Sequence, residues 1–351
     1  MSKKIITLFL VITFCLSIVA GCSYTEKAQD SQEQSQNDQD AKLNEEKSDV
    51  ERGNHYPVTI KMYTNEGKEI EQTIEREPRK VVVIGETMAE LMIEFGQKDK
   101  VVGVGYLNQS FSKYADQINQ MPIITESWPS KEAVLALKPD TIYSISSAFK
   151  EELLGDISFW NDRGVSVLSA VNFTIGRSIE EYFTEIKNFG MVFNVKDKTD
   201  AYLKEQNSRI NNVKKIAQGA KEAPKVLFIG SARDTYYYYP PSWCIIDEMI
   251  EGAGGEYMKL SENGYIEMSI EAVIAANPEK IIITEFQEPD KERIKNKLIS
   301  NERLKNVNAI KTGNVMVAEY TNSVNGGLQL ADLYEDVATF IHPELFGGKE
   351  E

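Results

Sequence analysis

The sequence SKEAVLALKPD at residues 130–140 is repeated as SIEAVIAANPE at residues 269–279. Six of the eleven positions are identical, and the two copies lie 139 residues apart. Each copy begins with a serine, which favours a helix amino terminus, and has a glutamate in the first turn, where the helix dipole favours negative charge. A second pair of similar segments, KVVVIG at residues 80–85 and KVLFIG at residues 225–230, is 145 residues apart. Two pairs with similar offsets predict two lobes of related structure.

Short apolar runs alternate with amphipathic segments through both halves of the chain, which is typical of parallel sheets covered by helices. We therefore predict an α/β fold of two Rossmann-like lobes with parallel central sheets, joined by one long interdomain helix, with a ligand cleft between the lobes. A hairpin at residues 56–74 opens the first lobe, because Val58, Ile60 and Met62 alternate with polar residues. The predicted bounds are 55–177 for the first lobe, 178–219 for the helical segment with Ser178 as its cap, 220–346 for the second lobe and 347–351 for a tail.

The first 54 residues have the composition of an export signal and a tether. Lys3 and Lys4 precede an apolar run that ends in VAGC at residues 19–22, and about fifteen apolar residues are fewer than the ~20 that a membrane span needs. We predict a signal peptide at residues 1–21. Residues 22–54 are polar, acidic and nearly free of large apolar side chains, so they are predicted to form a disordered tether.

The charge and the cysteines narrow the class of protein. A net charge of −15 argues against nucleic-acid binding, because phosphates would be repelled. Of three cysteines, Cys15 lies in the signal and Cys22 at its end, so Cys244 has no partner and is expected to be a small core residue.

Ligands in open α/β sheets bind outside the carboxyl ends of the strands. This rule selects residues 85–87, Tyr106, residues 146–147, 231–239, 285–286 and 319–320 as cleft segments. The stretch ARDTYYYYPPSW at residues 232–243 offers aromatic area and one guanidinium, although it also fits aromatics packed beneath a loop. Pro240 and Pro241 make a regular strand improbable there. The candidate ligand contacts are Tyr106, Trp128, Arg233, Tyr236, Tyr238, Trp243 and Tyr320.

No arrangement typical of a zinc site, a serine hydrolase or a dinucleotide site occurs in the sequence, so we expect neither an enzyme nor a bound cofactor. The only histidines are His55 and His342, and both are predicted to be surface residues. A metal site built from carboxylates alone stays open.

The chain from residue 56 resembles the substrate-binding lipoproteins of ABC importers in the iron-siderophore, haem and cobalamin (vitamin B12) branch. The resemblance is carried by the hairpin before PRKVVVIG, by AELMIEFGQKDKVVGVG at residues 89–105, by SKEAVLALKPDTIY, by the long helical segment and by SIEAVIAANPEKIIIT. It implies the TroA-like, class III periplasmic-binding-protein fold. One stiff helix between the lobes predicts small closure motions rather than a wide hinge.

The resemblance also implies partners. VAGC resembles a lipobox, in which Cys22 is diacylated and anchors an otherwise extracytoplasmic monomer to the membrane. Glu132 and Glu271 match the glutamates that dock to arginine pockets on the two permease subunits. The implied ligand is an iron-siderophore, haem or a corrinoid. Two alternatives stay open, namely direct binding of a transition-metal ion on the same fold and a surface enzyme or adhesin on a reused scaffold.

Overall fold

Two α/β lobes follow one another in the computed structural model, which describes residues 55–107, 113–171, 176–232, 235–263, 266–288 and 290–347. The predicted signal peptide, the tether with Cys22, candidate Arg233 and nearly all of the predicted tail lie outside these residues. The chain from His55 onward forms one compact unit. It begins with the predicted hairpin, in which β1 (Val58–Tyr63) pairs antiparallel with β2 (Glu69–Ile74).

The first lobe contains a five-stranded sheet with the order β5-β4-β3-β6-β7, and every pair in it is parallel. Its central strand β3 is buried at all four positions, as expected for a sheet covered on both faces. The strands are β3 (Val81–Ile84), β4 (Val101–Gly105), β5 (Ile123–Thr125), β6 (Thr141–Ile145) and β7 (Ser166–Ala170). The helices between them are α1 (Glu86–Glu94), α2 (Ala115–Ile118), α3 (Lys131–Ala136) and α4 (Ile157–Asn161), with short 3-10 turns at Lys98–Lys100 and Ser146–Phe149.

The predicted helical segment consists of two helices, α5 (Ile179–Val192) and the longer α6 (Lys196–Ala217). Ser178 caps α5 as predicted, because its side chain accepts a hydrogen bond from the Glu181 amide. Asn194 has φ +53°, a left-handed conformation that interrupts the helix without glycine or proline. At ~1.5 Å per residue α6 is long enough, at ~33 Å, to reach both lobes.

Contacts near its start and at its middle show that α6 packs on both lobes. Near its start Lys198 donates to the Phe95 carbonyl at 3.3 Å in the first lobe. Further along, Gln206 accepts from the Ala331 amide at 2.9 Å in the second lobe. The same helix therefore contacts the first lobe through Lys198 and the second through Gln206.

The second lobe has a mixed sheet of order β11-β9-β8-β12-β13, with β10 pairing to β8. β8, β10, β12 and β13 are parallel, whereas β9 pairs antiparallel with both β8 and β11. A regular strand was predicted to be improbable in residues 232–243, but β9 forms there. It ends at Tyr238, so neither Pro240 nor Pro241 occupies a ladder position. The strands are β8 (Lys225–Ala232), β9 (Thr235–Tyr238), β10 (Glu256–Tyr257), β11 (Ile266–Met268), β12 (Lys280–Glu285) and β13 (Val315–Val317).

The helices of the second lobe cover this sheet. They are α7 (Ile246–Gly252), α8 (Ile270–Ala276), α9 (Lys291–Ile299), α10 (Asn308–Lys311), α11 (Tyr320–Val324), α12 (Leu330–Ile341) and α13 (Pro343–Phe346).

Cys244 is fully buried, as predicted, and burial raises the pKa of its thiol. His342 is also buried, at 3% exposure, with its ring bonded to Glu344 and to the Gly254 carbonyl, so its prediction as a surface residue was wrong.

The sequence repeat adopts the same structure in both lobes. Ser130 and Ser269 cap α3 and α8 by accepting hydrogen bonds from the amides three residues on. Val134 and Val273 are both fully buried. A residue of positive φ, Lys138 or Asn277, stands just after each helix and is followed by a buried proline.

The last residue of each copy accepts hydrogen bonds from the start of the second repeated segment, KVVVIG in the first lobe and KVLFIG in the second. The Asp140 carboxylate accepts from the amides of Arg79 and Lys80 at 3.0–3.2 Å, at the start of β3. The Glu279 carboxylate accepts from the amide of Lys225 at 2.8 Å, at the start of β8. The two pairs of similar sequences therefore correspond to one structural unit formed twice.

Candidate functional site

A cavity of about 410 Å³ lies between the lobes, at the edge where the parallel strands end. This volume is within the range of small-molecule sites. The first lobe contributes residues that follow β3, β4, β6 and β7, and the second lobe contributes residues that follow β12 and β13. The described lining residues are Gly85, Glu86, Thr87, Met88, Leu91, Tyr106, Trp128, Tyr143, Ile145, Ser147, Lys150, Glu152, Leu153, Ala170, Val171, Arg177, Tyr182, Glu185, Phe286, Tyr320, Asn325 and Gly326.

Each lobe contributes a pair of aromatic rings to the cavity. Tyr106 and Trp128 of the first lobe are stacked, with ring centroids 3.8 Å apart and an interplanar angle of 22°. Phe286 and Tyr320 of the second lobe are 5.0 Å apart and tilted by 60°. Aromatic rings present large, rigid apolar surfaces, so the cavity is suited to a ligand with broad faces of its own.

Tyr106 is held in an uncommon backbone conformation. Its φ of +57° lies in the left-handed region, which is disfavoured for a bulky side chain. Its amide donates to the Ser127 carbonyl at 2.9 Å, and this bond ties the loop after β4 to the segment that carries Trp128. The strained residue is therefore fixed at the cavity wall beside its stacking partner.

A buried ion pair, Arg177–Glu185, lies where the second lobe meets the first. The two side chains form a bidentate pair, with Nη1 to Oε1 at 2.6 Å and Nη2 to Oε2 at 2.8 Å. Their exposed fractions are 3% and 16%. Arg177 Nε also donates to the carbonyl of Asn325 in the second lobe at 2.6 Å, and Glu185 accepts from the Val171 amide at 2.7 Å. The pair thus connects both lobes to α5.

Close packing next to this pair depends on a glycine. Gly326 has φ +79°, and a Cβ placed on it would come within 2.9 Å of the Tyr182 ring.

Burial raises the pKa of the Tyr182 phenol and of the Tyr143 phenol well above the usual value, so both line the cavity as neutral groups.

A second cavity of about 380 Å³ shares Glu86 and Thr87 with the first. Acidic residues outnumber basic ones in its described lining, with Glu86, Glu90, Glu319, Asp332 and Asp336 against Lys113 and Lys291. The two cavities together place more carboxylates than cations around the space between the lobes. In the main cavity Arg177 forms an ion pair with Glu185, and the other charged residues of the described lining are Lys150, Glu86 and Glu152.

The structure places three of the seven candidate ligand contacts in the main cavity, namely Tyr106, Trp128 and Tyr320. Tyr236 and Tyr238 lie on β9, are 5% and 0% exposed, and belong to the core of the second lobe. The Tyr238 hydroxyl donates to the Met258 carbonyl and accepts from the Leu260 amide, both at 3.0 Å. Trp243 is partly buried and is not among the described lining residues of either cavity.

Several lining residues were not candidates from sequence. Phe286 lies in a segment that the strand-end rule had selected, but its aromatic side chain was not singled out. Arg177 and Glu185 carry no local signal, because their pairing depends on the fold.

Glu132 and Glu271 both lie on the surface, in the first turns of α3 and α8. The Glu132 side chain forms no hydrogen bond or ion pair within the described chain, whereas the Glu271 side chain is paired with Arg303 on the surface. α3 begins after β5 and α8 after β11, strands that run in the same direction as the central strand of their own sheets. Both helices therefore begin at the edge of the sheet where the cavity opens.

The described ranges contain neither a clustered metal-ligand set nor a membrane-spanning helix. Within them no group of three or more His, Cys, Asp or Glu side chains is placed to hold a metal ion. The helices of these same ranges include none with the length and apolar content of a membrane span.

Comparison with known proteins places these features in a family. The profile of the periplasmic binding protein family matches residues 81–320, which include both sheets and both copies of the repeat. An uncharacterized ABC transporter substrate-binding lipoprotein of Bacillus subtilis, YvrC, is 24% identical over 293 residues, covering 83% of this chain and 87% of the relative. A cobalamin-binding protein of Halobacterium salinarum is 24% identical over 286 residues, covering 79% and 72%.

A solved structure shows the same fold. The periplasmic binding protein of Veillonella parvula superimposes with a TM-score of 0.71 at 22% sequence identity, covering 83% of this chain and 93% of that one. The predicted two-lobed α/β architecture is thereby confirmed.

Proposed function

This chain belongs to the periplasmic binding protein family, and from that membership we propose that it is the lipid-anchored, extracytoplasmic receptor of an ABC importer. The observation that carries the proposal is the cavity between the lobes, with one aromatic pair contributed by each lobe. A ligand seated between these pairs contacts both lobes at once. Its binding therefore favours one arrangement of the lobes, which a permease can recognise.

We propose that the ligand is a bulky metal chelate, namely an iron-siderophore, a corrinoid or haem. Among these the charge of the cavity favours a chelate with little or no net negative charge. The described carboxylates of the main cavity are Glu86, Glu152 and Glu185, against the cations Lys150 and Arg177. Arg177 and Glu185 neutralise each other in an ion pair, so carboxylates exceed cations by one in the described lining. A polyanion would leave its charges poorly compensated, and desolvating unpaired charges is costly. A neutral hydroxamate siderophore or a corrinoid, which presents amide groups, fits better than a tricatecholate or haem.

Isothermal titration with four chelates tests this order of ligand preference. The panel consists of cyanocobalamin, a ferric trihydroxamate, a ferric tricatecholate and haemin, each titrated into the purified chain without its first 22 residues. We expect micromolar or tighter binding of one of the first two, and binding at least tenfold weaker for the two anionic ligands. Tightest binding of an anionic ligand contradicts the charge argument, and binding of none contradicts the ligand class.

Trp128 is expected to contribute directly to ligand affinity. Its replacement in Trp128→Ala removes one ring of the stacked pair, and an aromatic contact contributes about 0.5–1.5 kcal/mol beyond its buried area, so we expect the Kd to rise about tenfold. Trp243→Ala is the matched control, because Trp243 lies outside the described lining of the cavity. Equal losses in the two variants would show that the ligand does not sit against Trp128.

Membrane attachment and delivery complete the proposal. Diacylation of Cys22 would anchor the chain, and residues 23–54 would be the tether between the anchor and the folded lobes. Glu132 and Glu271 would bind cationic side chains on the two permease subunits. The lipoprotein relative and the position of both glutamates at the cavity edge support this arrangement.

A further inference from the structure

The repeated helices α3 and α8 share more than their glutamates. Four identical or similar positions of the repeat have a structural role. The serine caps the helix, the valine and the proline are buried, and the last acid binds backbone amides of the neighbouring strand. These roles explain the positions of the repeat that pack on, or bond to, the rest of their own lobe. They leave one exposed face on each helix unexplained.

That face has the same composition in both lobes. On α3 it consists of Glu132, Leu135 and Ala136, and on α8 of Glu271, Ile274 and Ala275, all six of them exposed. Positions i, i+3 and i+4 of a helix lie side by side, so each set forms one continuous patch. We call these two patches the paired faces.

The apolar member of each face is unusual for a surface. Leu135 is 36% exposed and Ile274 is 41% exposed. The other large apolar residues of the described chain with comparable exposure are Ile123, Ile216, Leu260, Phe286 and Ile299. Within this set only Leu135 and Ile274 are related by the 139-residue offset of the repeat. Exposed Leu or Ile residues scattered singly need no explanation, but the same one at the same site in both lobes does.

We infer that the paired faces are two equivalent docking surfaces, in each of which the Leu or Ile side chain inserts into an apolar depression beside a cationic group of the partner. The inference rests on the proposed function and specifies its partner further. The partner is a permease of two subunits, each presenting a basic side chain next to an apolar pocket.

Three features favour this partner over others. The faces occur twice, at the cavity-bearing edge of two similar lobes, which matches a receiver with two similar subunits. Each face combines a carboxylate with an apolar side chain, and the chain as a whole carries a net charge of −15, which favours a basic surface opposite. Ala136 and Ala275 add little bulk beside the anchor, so a partner backbone can approach closely. An apolar anchor surrounded by polar contacts is also how protein interfaces concentrate their affinity.

The docking of two double variants to the importer's permease–ATPase complex, reconstituted in nanodiscs, tests the inference. Leu135→Ser with Ile274→Ser removes both anchors and keeps both glutamates. Ile216→Ser with Ile299→Ser is the matched control, because it removes two equally exposed isoleucines from α6 and α9, outside the repeat. We expect the first variant to bind the complex at least tenfold more weakly and the control to bind like the wild type. The ligand affinity of both variants should be unchanged.

Each other outcome has a definite meaning. Unchanged docking of Leu135→Ser with Ile274→Ser overturns the inference but leaves the proposed function intact, as long as the wild type docks. A wild type that binds ligand yet never docks overturns the proposed function as well. If light scattering shows that the wild type dimerises and the Leu135→Ser, Ile274→Ser variant does not, the paired faces bind a second copy of this chain, and the inference is wrong.

Discussion

Replacing Glu132 and Glu271 together with alanine should abolish import while leaving ligand affinity unchanged. Each glutamate lies on the surface in the first turn of a serine-capped helix, at the edge where the cavity opens. Neither lines the main cavity in the described part of the chain. Loss of both removes the carboxylate from each docking surface, whereas the ligand contacts stay in place. Uptake of the chelate that titration identifies, measured in cells that carry the importer, checks the first half of the expectation.

The control for this experiment separates docking from helix stability. A first-turn glutamate stabilises its own helix by about 0.3–1 kcal/mol through the helix dipole. Glu180 and Glu292 occupy the same kind of position, exposed in the first turns of α5 and α9, whose caps are Ser178 and Asp290. Glu180→Ala with Glu292→Ala therefore loses the same charge and a similar helix contribution outside the paired faces. If this control loses uptake as fully as the Glu132, Glu271 variant, the glutamates act through stability or net charge and not through docking.

Much of the fold could be predicted because its signals are local. Serine caps and buried valine runs such as that of β3 each depend on a few neighbouring residues, and each copy of the repeat carries its own local signals. The structure confirms these features. The linker was predicted as one helical segment, but the left-handed residue Asn194 divides it. Asparagine tolerates this conformation better than most residues, yet its presence inside a helical pattern does not require it.

The site was less predictable, because the strand-end rule assumes that strands are parallel. The rule correctly places Tyr106 and Tyr320 at the cavity, because they follow the parallel strands β4 and β13. It did not work for Tyr238, because β9 runs antiparallel and carries that residue away from the cavity edge. The run of four tyrosines shows only that aromatic area is present. Which side chains face the cavity is decided by strand direction, and that depends on pairing with distant segments.

The Arg177–Glu185 pair could not be predicted for a related reason, and its loss should have the largest effect on stability. Arg177→Met leaves the Glu185 carboxylate largely buried without its cation and breaks the bond from Nε to the Asn325 carbonyl. Removing one partner of a buried pair costs about 3–5 kcal/mol, because the remaining charge is desolvated and uncompensated. We expect the free energy of unfolding to fall by that amount, as measured by urea denaturation.

Two further variants show whether burial is the cause. Lys61→Met breaks the pair with Glu69, whose members are 64% and 50% exposed, and should change stability by less than about 1 kcal/mol. Arg177→Met combined with Glu185→Met removes both charges and should recover part of the loss, since apolar side chains can replace a buried pair. If the double variant is as unstable as Arg177→Met alone, the lost contacts to Asn325 and Val171 matter more than the uncompensated charge. In that case Arg177 serves mainly to fasten the second lobe to α5, and ligand affinity should fall together with stability.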